Sequence, residues 1–474
     1  MYKTFVYVIY EAGNFNPALD FCVKFGAHNN LSAIIYCPYF LPDTESYIEK
    51  CKQNGIVYVS EHNQYGGVCD VVSQINESGI VSYTPASVSF GVNNAPILRM
   101  KRFLLRKLVP SKAESINALV AWYHSKSVSY GEFLSSISAK AVFFAEYNVE
   151  RDSCCWLEAA SKLQLKTIII SYGSITPDEA AIAYYDNPEY SLEKGALFYV
   201  LSLFSKWCKR FKSRNMIRLP VEQALAIEFL GYSSKNPWVV NSGSVDYVVL
   251  ESDFMRQMYV ANGIDASRIK VCGSPSLDKL SGGYLDKDAV KSELYTALKL
   301  DPEKGLLVCA IPPNQYPGVA CPEATSYEEL LAIWFDILRE MAMCYNVVIS
   351  THPSALPSEI KSIENSGFAV SLGGIAELLP ITDIYFASVS STIKWALACG
   401  VPVVNYDCYQ YDHPDYADVQ QVDTFMTADE VKGFATQYLA NDFLLRKRQE
   451  VCSVSLFYGV LEGGSVSKIS QLIN

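Results

Sequence analysis

An α/β protein of two parallel-sheet domains facing each other across a cleft is what the sequence predicts, and three observations predict it. Short, uniformly apolar runs alternate with longer amphipathic ones from residue 4 onward, as expected of parallel strands covered on both faces by helices. The rhythm breaks once, over about residues 174–235, and then resumes. At 474 residues the chain exceeds what one hydrophobic core usually serves.

The first domain, residues 1–278, opens on a strand at 4–10 (TFVYVIY) closed by Glu11-Ala12-Gly13. A helix at 16–25, a strand at 32–36, a helix at 45–53 and a strand at 56–60 complete a βαβαβ start. Residues 93–135 read as mostly helical and carry a basic cluster, Arg99, Lys101, Arg102, Arg106 and Lys107. A strand at 139–144 ends in Glu146-Tyr147-Asn148, and another at 166–171 ends at Tyr172-Gly173.

The break at 174–235 reads as a helical insertion. Within it Leu197, Val200, Leu201, Phe204, Trp207 and Phe211 fall at helical spacing, with Lys206, Lys209, Arg210, Lys212 and Arg214 toward the C-terminal half. Residues 196–214 thus predict an amphipathic helix. It either lies in a membrane interface, held by apolar contact and anionic lipid, or packs as an ordinary helix with a basic solvated end. The α/β pattern returns with a strand at 246–250, a helix at 253–262, a strand at 268–272 and then Gly273-Ser274-Pro275-Ser276-Leu277-Asp278.

The second domain, residues 279–474, begins with a linker at about 279–303 and a strand at 305–311 that runs into Pro312-Pro313-Asn314-Gln315. Its chemistry concentrates in 346–411. Val347-Val348-Ile349 stops at Ser350-Thr351-His352-Pro353, and Ile384-Tyr385-Phe386-Ala387 stops at Ser388-Val389-Ser390-Ser391-Thr392. A helix from Ile393 ends at Gly400, and Val401-Pro402-Val403-Val404 begins the next strand. Ligands of open parallel sheets bind beyond the carboxyl ends of the strands. Hydroxyls and N–H groups at the start of a helix near Ser391 suit a phosphate, and a histidine on the adjacent loop can donate to the same anion.

Composition narrows the classes further. Hydrophobic residues make up 50% and charged ones 19% of the chain, which excludes a largely disordered protein. The net charge of −11 argues against nucleic acid as a partner. Fourteen cysteines are scattered with no signal-peptide pattern, which fits reduced thiols in a cytosol. With five histidines and no Cys/His cluster at zinc spacing, no metal site is expected. No apolar run reaches the ~18 residues of a membrane-spanning helix. The expected location is cytoplasmic, with peripheral contact to the inner face of the membrane if 196–214 binds lipid.

The ordered pair of motifs, His352-Pro353 after one strand and Ser390-Ser391 after a later one, resembles GT-B glycosyltransferases that use CMP-activated acid sugars. These include bacterial sialyltransferases, polysialyltransferases and Kdo transferases. The same half is similar to the CDP-glycerol glycerophosphotransferases. The likeness is strongest over 245–411 and implies two Rossmann-like domains, the first taking the acceptor and the second the nucleotide-sugar donor. It further implies metal-independent transfer to a glycan or lipid-linked glycan in surface polysaccharide synthesis, with no cofactor beyond a CMP-linked donor.

Such an enzyme stabilises charge on the departing phosphate, deprotonates the acceptor with a general base and excludes water by domain closure. The resemblance assigns the phosphate to His352, with Pro353 beside it, and to Ser390 and Ser391, with Ser388 and Thr392 as neighbours. The alternatives are a loop histidine packed under Pro353 and serines that merely cap a helix. Pro313, Asn314 and Gln315 are placed to read a base and ribose. Glu377 and Asp407 are weaker candidates, Tyr406 and Tyr411 suggest a tyrosine-rich rim, and His413-Pro414 stands apart in a loop.

For the base, Glu11 and Glu146 compete. Glu11 resembles the acidic-acidic-Gly motif of sialyltransferases, but Ala12 occupies its middle position. Glu146 ends a later strand with Glu150 and Asp152 close behind, and Asp152 also reads as a helix cap. Two other classes stay open. A CDP-polyol phosphotransferase would place a His-Gly where this chain has Tyr172-Gly173, and a non-catalytic scaffold of the same fold would need neither carboxylate. A UDP-sugar 2-epimerase fits less well, because Ser391 is followed by Thr-Ile-Lys-Trp rather than a Gly-Gly with paired glutamates.

Overall fold

The structure is a computed structural model. It describes residues 3–39, 41, 44–61, 80–83, 112–171, 173, 175, 178–192, 204–316, 321–352, 355–371, 374–411, 416, 419–438 and 440–473. The chain divides into two compact units. The first comprises Met1–Leu250, Arg256–Cys272 and Val466–Asn474, the second Glu251–Met255 and Gly273–Ser465.

In the first unit, strands β1 (Thr4–Val8), β2 (Ser32–Cys37), β3 (Val57–Glu61), β4 (Ile80–Tyr83), β5 (Ala139–Phe144) and β6 (Lys166–Ile170) precede a hairpin of β7 (Cys208–Phe211) and β8 (Arg214–Ile217). Then come β9 (Tyr247–Leu250) and β10 (Ile269–Val271). The main sheet runs β10-β9-β6-β5-β1-β2-β3-β4, with every pairing parallel. All five residues of β1 are buried, which is why the strands read as uninterrupted apolar runs. On one face Phe5 meets Phe25 edge-on at 5.1 Å and Phe143 at 5.5 Å, Phe25 belonging to the helix Phe15–Asn29. That helix stops at Asn30, whose φ of +52° forms the left-handed cap that asparagine tolerates better than most residues. Val466 and Ile469, from the far end of the chain, belong to the same core.

The second unit carries β11 (Gly305–Ala310), β12 (Tyr345–Ser350), β13 (Ala369–Ser371), β14 (Ile384–Ala387), β15 (Val403–Tyr406) and β16 (Val422–Phe425). They run β13-β12-β11-β14-β15-β16, again all parallel. The helix Tyr327–Met341 is started by Ser326, whose side chain accepts from the Glu329 amide, an N-cap of the preferred type. It packs Trp334 on Phe386 with ring centres 4.5 Å apart. Behind the sheet Lys394 Nζ pairs with Glu251 at 2.8 Å, both side chains being 1% exposed. Ser274 Oγ donates to Glu251 Oε1 at 2.5 Å and Trp395 Nε1 to Oε2 at 3.0 Å.

The insertion departs from its expected form. Of the predicted helix over 196–214, residues 196–203 lie outside the described ones, as does the basic cluster at 99–107. The rest is a 3-10 turn, Ser205–Trp207, followed by the antiparallel hairpin, whose two-residue loop has Lys212 at φ +49°. Trp207 and Phe211 are four apart, a spacing that puts two side chains on one face of a helix and equally of a strand. The basic residues do not form a helical face either. Lys206 pairs with Glu228, Lys209 with Asp178 and Arg214 with Asp186, and buried Trp207 donates to Glu228 at 2.7 Å.

All thirteen described cysteines are free thiols. Among the described residues no helix is long and apolar enough to cross a membrane, and no group of three or more His, Cys, Asp or Glu could hold a metal ion.

Removing one partner of a buried pair leaves the other charge uncompensated, so Lys394→Met should lower the stability of the second unit by about 3–5 kcal/mol in urea unfolding. Glu251→Leu with Lys394→Met together should recover much of that loss; a single variant as stable as the parent would contradict the account.

Candidate functional site

Because every strand of the second sheet is parallel, all the carboxyl ends emerge at one edge. The sheet order grows outward in both directions from the β11–β14 pair, so the loops after these strands diverge and open a crevice. A pocket of ≈ 390 Å³ sits there. Pro312, Pro313 and Gln315 reach it from β11, His352 from β12, Ser388, Ser390, Ser391 and Thr392 from β14, and Tyr409 and Tyr411 from beyond β15. Residues widely separated in sequence are thus gathered into one cavity.

The hydroxyls form a connected set. Tyr385 OH lies 2.5 Å from Thr392 Oγ1, which lies 2.7 Å from Ser390 Oγ, and the Thr392 amide donates to Ser390 Oγ at 3.3 Å. Ser391 is exposed. The helix that follows spans only Ile393–Ala398, and no side chain caps it, so the capping alternative does not describe these residues. With fewer than two turns its dipole is small, and the hydroxyls rather than the helix end make up the polar wall. Ser388 Oγ contacts Cys408 Sγ at 3.4 Å. Burial pushes the Cys408 thiol up to about 12, so it is protonated at neutral pH and is no nucleophile.

His352 is exposed at the pocket, yet enough atoms surround the ring that lost hydration holds its pKa below the usual histidine value. It is therefore largely neutral near pH 7, able to donate through one ring nitrogen. The opposite wall is fixed by tyrosines. Tyr409 OH donates to Pro313 O at 2.9 Å and accepts from the Gln315 amide at 3.2 Å, while Tyr327 OH donates to Pro312 O at 2.7 Å. Asn314 is not in the pocket wall; its Nδ2 donates to Glu359 at 3.0 Å. Asp407 is buried and accepts from the Tyr411 amide at 3.1 Å, which orients the rim tyrosine, and Glu377 is exposed outside the lining. Pro353, His413 and Pro414 lie outside the described residues.

The two carboxylates singled out as bases belong to the first unit, after β1 and β5, the pair at which that sheet's order also reverses. Arg151 Nη2 donates to Glu11 Oε1 at 3.0 Å, and Glu146 acts on the same guanidinium electrostatically. Arg151 also lies over the Tyr39 ring at 5.5 Å. Asp152 makes no side-chain capping bond; it is buried, with Tyr130 OH donating to it at 2.5 Å and the Lys126 ammonium forming an ion pair with it at 3.8 Å. Burial raises its pKa, against the pull of Lys126. Glu150 pairs with buried Arg218. Sequence reasoning missed Arg151, Tyr409 and the polar scaffold beneath the serines. Tyr409 was accessible by the rule that found the serines, since it too follows a strand; Arg151 carries no local signal.

No protein-family model matches this chain, and no curated protein matches it in sequence. Solved structures resemble it at a distance. The wall teichoic acid polymerase TagF is 14% identical with a TM-score of 0.49, covering 99% of this chain and 88% of that one. A UDP-GlcNAc 2-epimerase from Neisseria meningitidis bound to UDP-GlcNAc is 11% identical with a TM-score of 0.48, covering 99% of both. The glycotransferase of kitacinnamycin is 11% identical with a TM-score of 0.49, covering 100% of both. Likenesses at this level assign no activity; two parallel α/β sheets are what the chain itself displays.

Two consequences are measurable. Tyr409→Phe removes two hydrogen bonds to the Pro313–Gln315 wall and should cost about 1–3 kcal/mol of stability, measured by urea unfolding; no change would show the wall is held otherwise. Because burial holds the His352 pKa without ligand below the usual histidine value, its charged form becomes the major one only at a pH below that value. Affinity for a phosphate ligand should then rise on lowering the pH from 7 to 5.5 more steeply than in His352→Gln. Parallel titration curves for the two proteins would remove the imidazole from the site.

Proposed function

We propose that this protein is a metal-independent glycosyltransferase. In this reading it moves an acid sugar (sialic acid, Kdo or a related nonulosonate) from a CMP-activated donor to a glycan or lipid-linked glycan of a bacterial surface polysaccharide. The observation that carries the reading is the composition of the pocket among the described residues: hydroxyls, one neutral imidazole, aromatic and proline surfaces, and no Lys or Arg in the lining. The segments that follow the strands of the second sheet, 311–326, 351–360, 372–393 and 407–427, contain neither Lys nor Arg.

That chemistry favours a single phosphodiester over a pyrophosphate. Hydroxyls and an imidazole can solvate one negative charge through hydrogen bonds to the ionised oxygens. Two adjacent charges with no cation beside them would lose far more hydration than such donors restore. When the glycosidic bond breaks, charge grows on the same phosphate oxygens, and in this reading His352 donates to them or supplies a proton. The faces of Tyr409 and Tyr411 and the Pro313 ring suit a flat base, for which the Gln315 side chain offers an amide. The sugar's own carboxylate finds no cation in this lining and is left to groups outside it. Glu11, paired with Arg151, and Glu146 are the carboxylates proposed to accept the acceptor's proton.

Thermal denaturation with CMP, CDP and UDP in parallel tests this. A ligand at a hundred times its Kd stabilises by about 2.7 kcal/mol. CMP should shift the midpoint most, and His352→Ala should cut that shift. UDP stabilising more than CMP would end the CMP reading, while a dominant CDP response would favour a CDP-polyol phosphotransferase. With a CMP-sugar and acceptor, Glu11→Gln or Glu146→Gln, whichever is the base, should lower kcat about 10²–10⁴-fold and leave CMP binding intact. Full turnover in both variants would remove both carboxylates as the base, and no turnover in the wild-type protein would favour a non-catalytic scaffold.

A further inference from the structure

The loop bearing the pocket's serines is held in a conformation its own sequence disfavours. Val389 has a φ of +42°. The other non-glycine residues with positive φ among those described are Asn30, Ser138, Gln164, Lys212, Asn241, Lys299 and Gln410, none of them β-branched. For a β-branched side chain the left-handed region is a genuine outlier. Such strain persists only where the surroundings over-determine it, and it concentrates at ligand sites.

What over-determines it is visible. The Val389 amide donates to Asn405 Oδ1 at 2.8 Å. Asn405 lies on β15 opposite Ala387, the last residue of β14, and is 3% exposed. Its own Nδ2 donates to Thr424 Oγ1 at 3.3 Å, on the residue directly across β15–β16. Two strands therefore brace one loop amide through a single buried carboxamide, and Asn405 is not in the pocket wall. The residues flanking the braced amide, Ser388 and Ser390, both line the pocket.

We propose that Asn405 is a positioning residue. By clamping the Val389 amide it holds the loop in its left-handed turn and so sets the hydroxyls of Ser388, Ser390 and Ser391 for the ligand's phosphate; this rests on the phosphate-binding reading of the pocket. A connection with no such duty would be relieved by glycine at 389, which adopts this φ without penalty. The strain thus marks a loop whose geometry is imposed from the neighbouring strand.

The test compares wild type, Asn405→Ala, Val389→Gly and the double variant by two readouts. Hydrogen–deuterium exchange over residues 387–393 reports the clamp without any ligand. Exchange there should quicken in Asn405→Ala and stay near the wild-type rate in Val389→Gly. CMP titration reports the consequence. Loss of the clamp should weaken CMP binding about tenfold, and the double variant should return to within about threefold of Val389→Gly, because glycine needs no clamp. Unchanged exchange in Asn405→Ala overturns the clamp. Faster exchange with unchanged CMP affinity, or a double variant as weak as the product of the two single effects, overturns the positioning role. If wild type binds no CMP, the nucleotide reading fails and the positioning role with it, and the exchange data still show whether the clamp exists. Should Asn405→Ala not fold, Thr424→Val loosens the same carboxamide and should raise exchange and weaken CMP binding about threefold; no effect on either would overturn the proposal.

Discussion

Parallel strand pairing shapes this molecule before any other interaction does. It sends every carboxyl end of a sheet to the same edge and obliges each connection to return across a face. In the second unit the order β13-β12-β11-β14-β15-β16 reverses at β11–β14, so loops that run together elsewhere part at that point. The pocket follows from topology before any side chain is considered. Its lining of Pro312, His352, Ser388 and Tyr409 is what the ends of four neighbouring strands, β11, β12, β14 and β15, happen to carry.

Within that frame the polar groups divide into those that face the pocket and those that hold it in shape. Tyr327, Tyr409 and Asp407 fix the backbone on the β11 and β15 sides, Tyr385 and Thr392 brace Ser390, and Asn405 braces Val389. Most of these bonds join a side chain to a loop rather than two strands to each other. This is the usual way in which a rigid scaffold lends precision to a loop that could not keep its shape alone. Beneath them Glu251 and Lys394 pair at 2.8 Å with both side chains 1% exposed. Lys394 sits two residues beyond Thr392, yet its ammonium is already engaged by Glu251. Among the described residues the lining itself contains no Lys or Arg.

How much of this could be read in advance varies by residue. The strand at Ala139–Phe144 and the motifs after β12 and β14 were legible because apolar runs and their polar stops are local signals. The hairpin at 208–217 was not, because Trp207 and Phe211 are spaced identically for a helix and for a strand. The capping roles considered for Ser390, Ser391 and Asp152 gave way to others. The hydroxyls of Ser390 and Thr392 bond each other, and Asp152 is turned into a buried cluster with Tyr130 and Lys126. Asn314 reads as a pocket residue from its place in the chain, but its amide found Glu359 instead.

Burial on both faces writes itself into consecutive residues, so the order of amino acids alone settles the α/β class, the two parallel sheets and the strand ends at which His352 and Ser390-Ser391 stand. Which partners these groups keep is a matter for the folded chain. Arg151 reaches Glu11 across 140 positions and Asn405 reaches Val389 across 16. Such pairings are set by which strands lie side by side and in what register, a property of the assembled sheet that no local stretch of sequence contains.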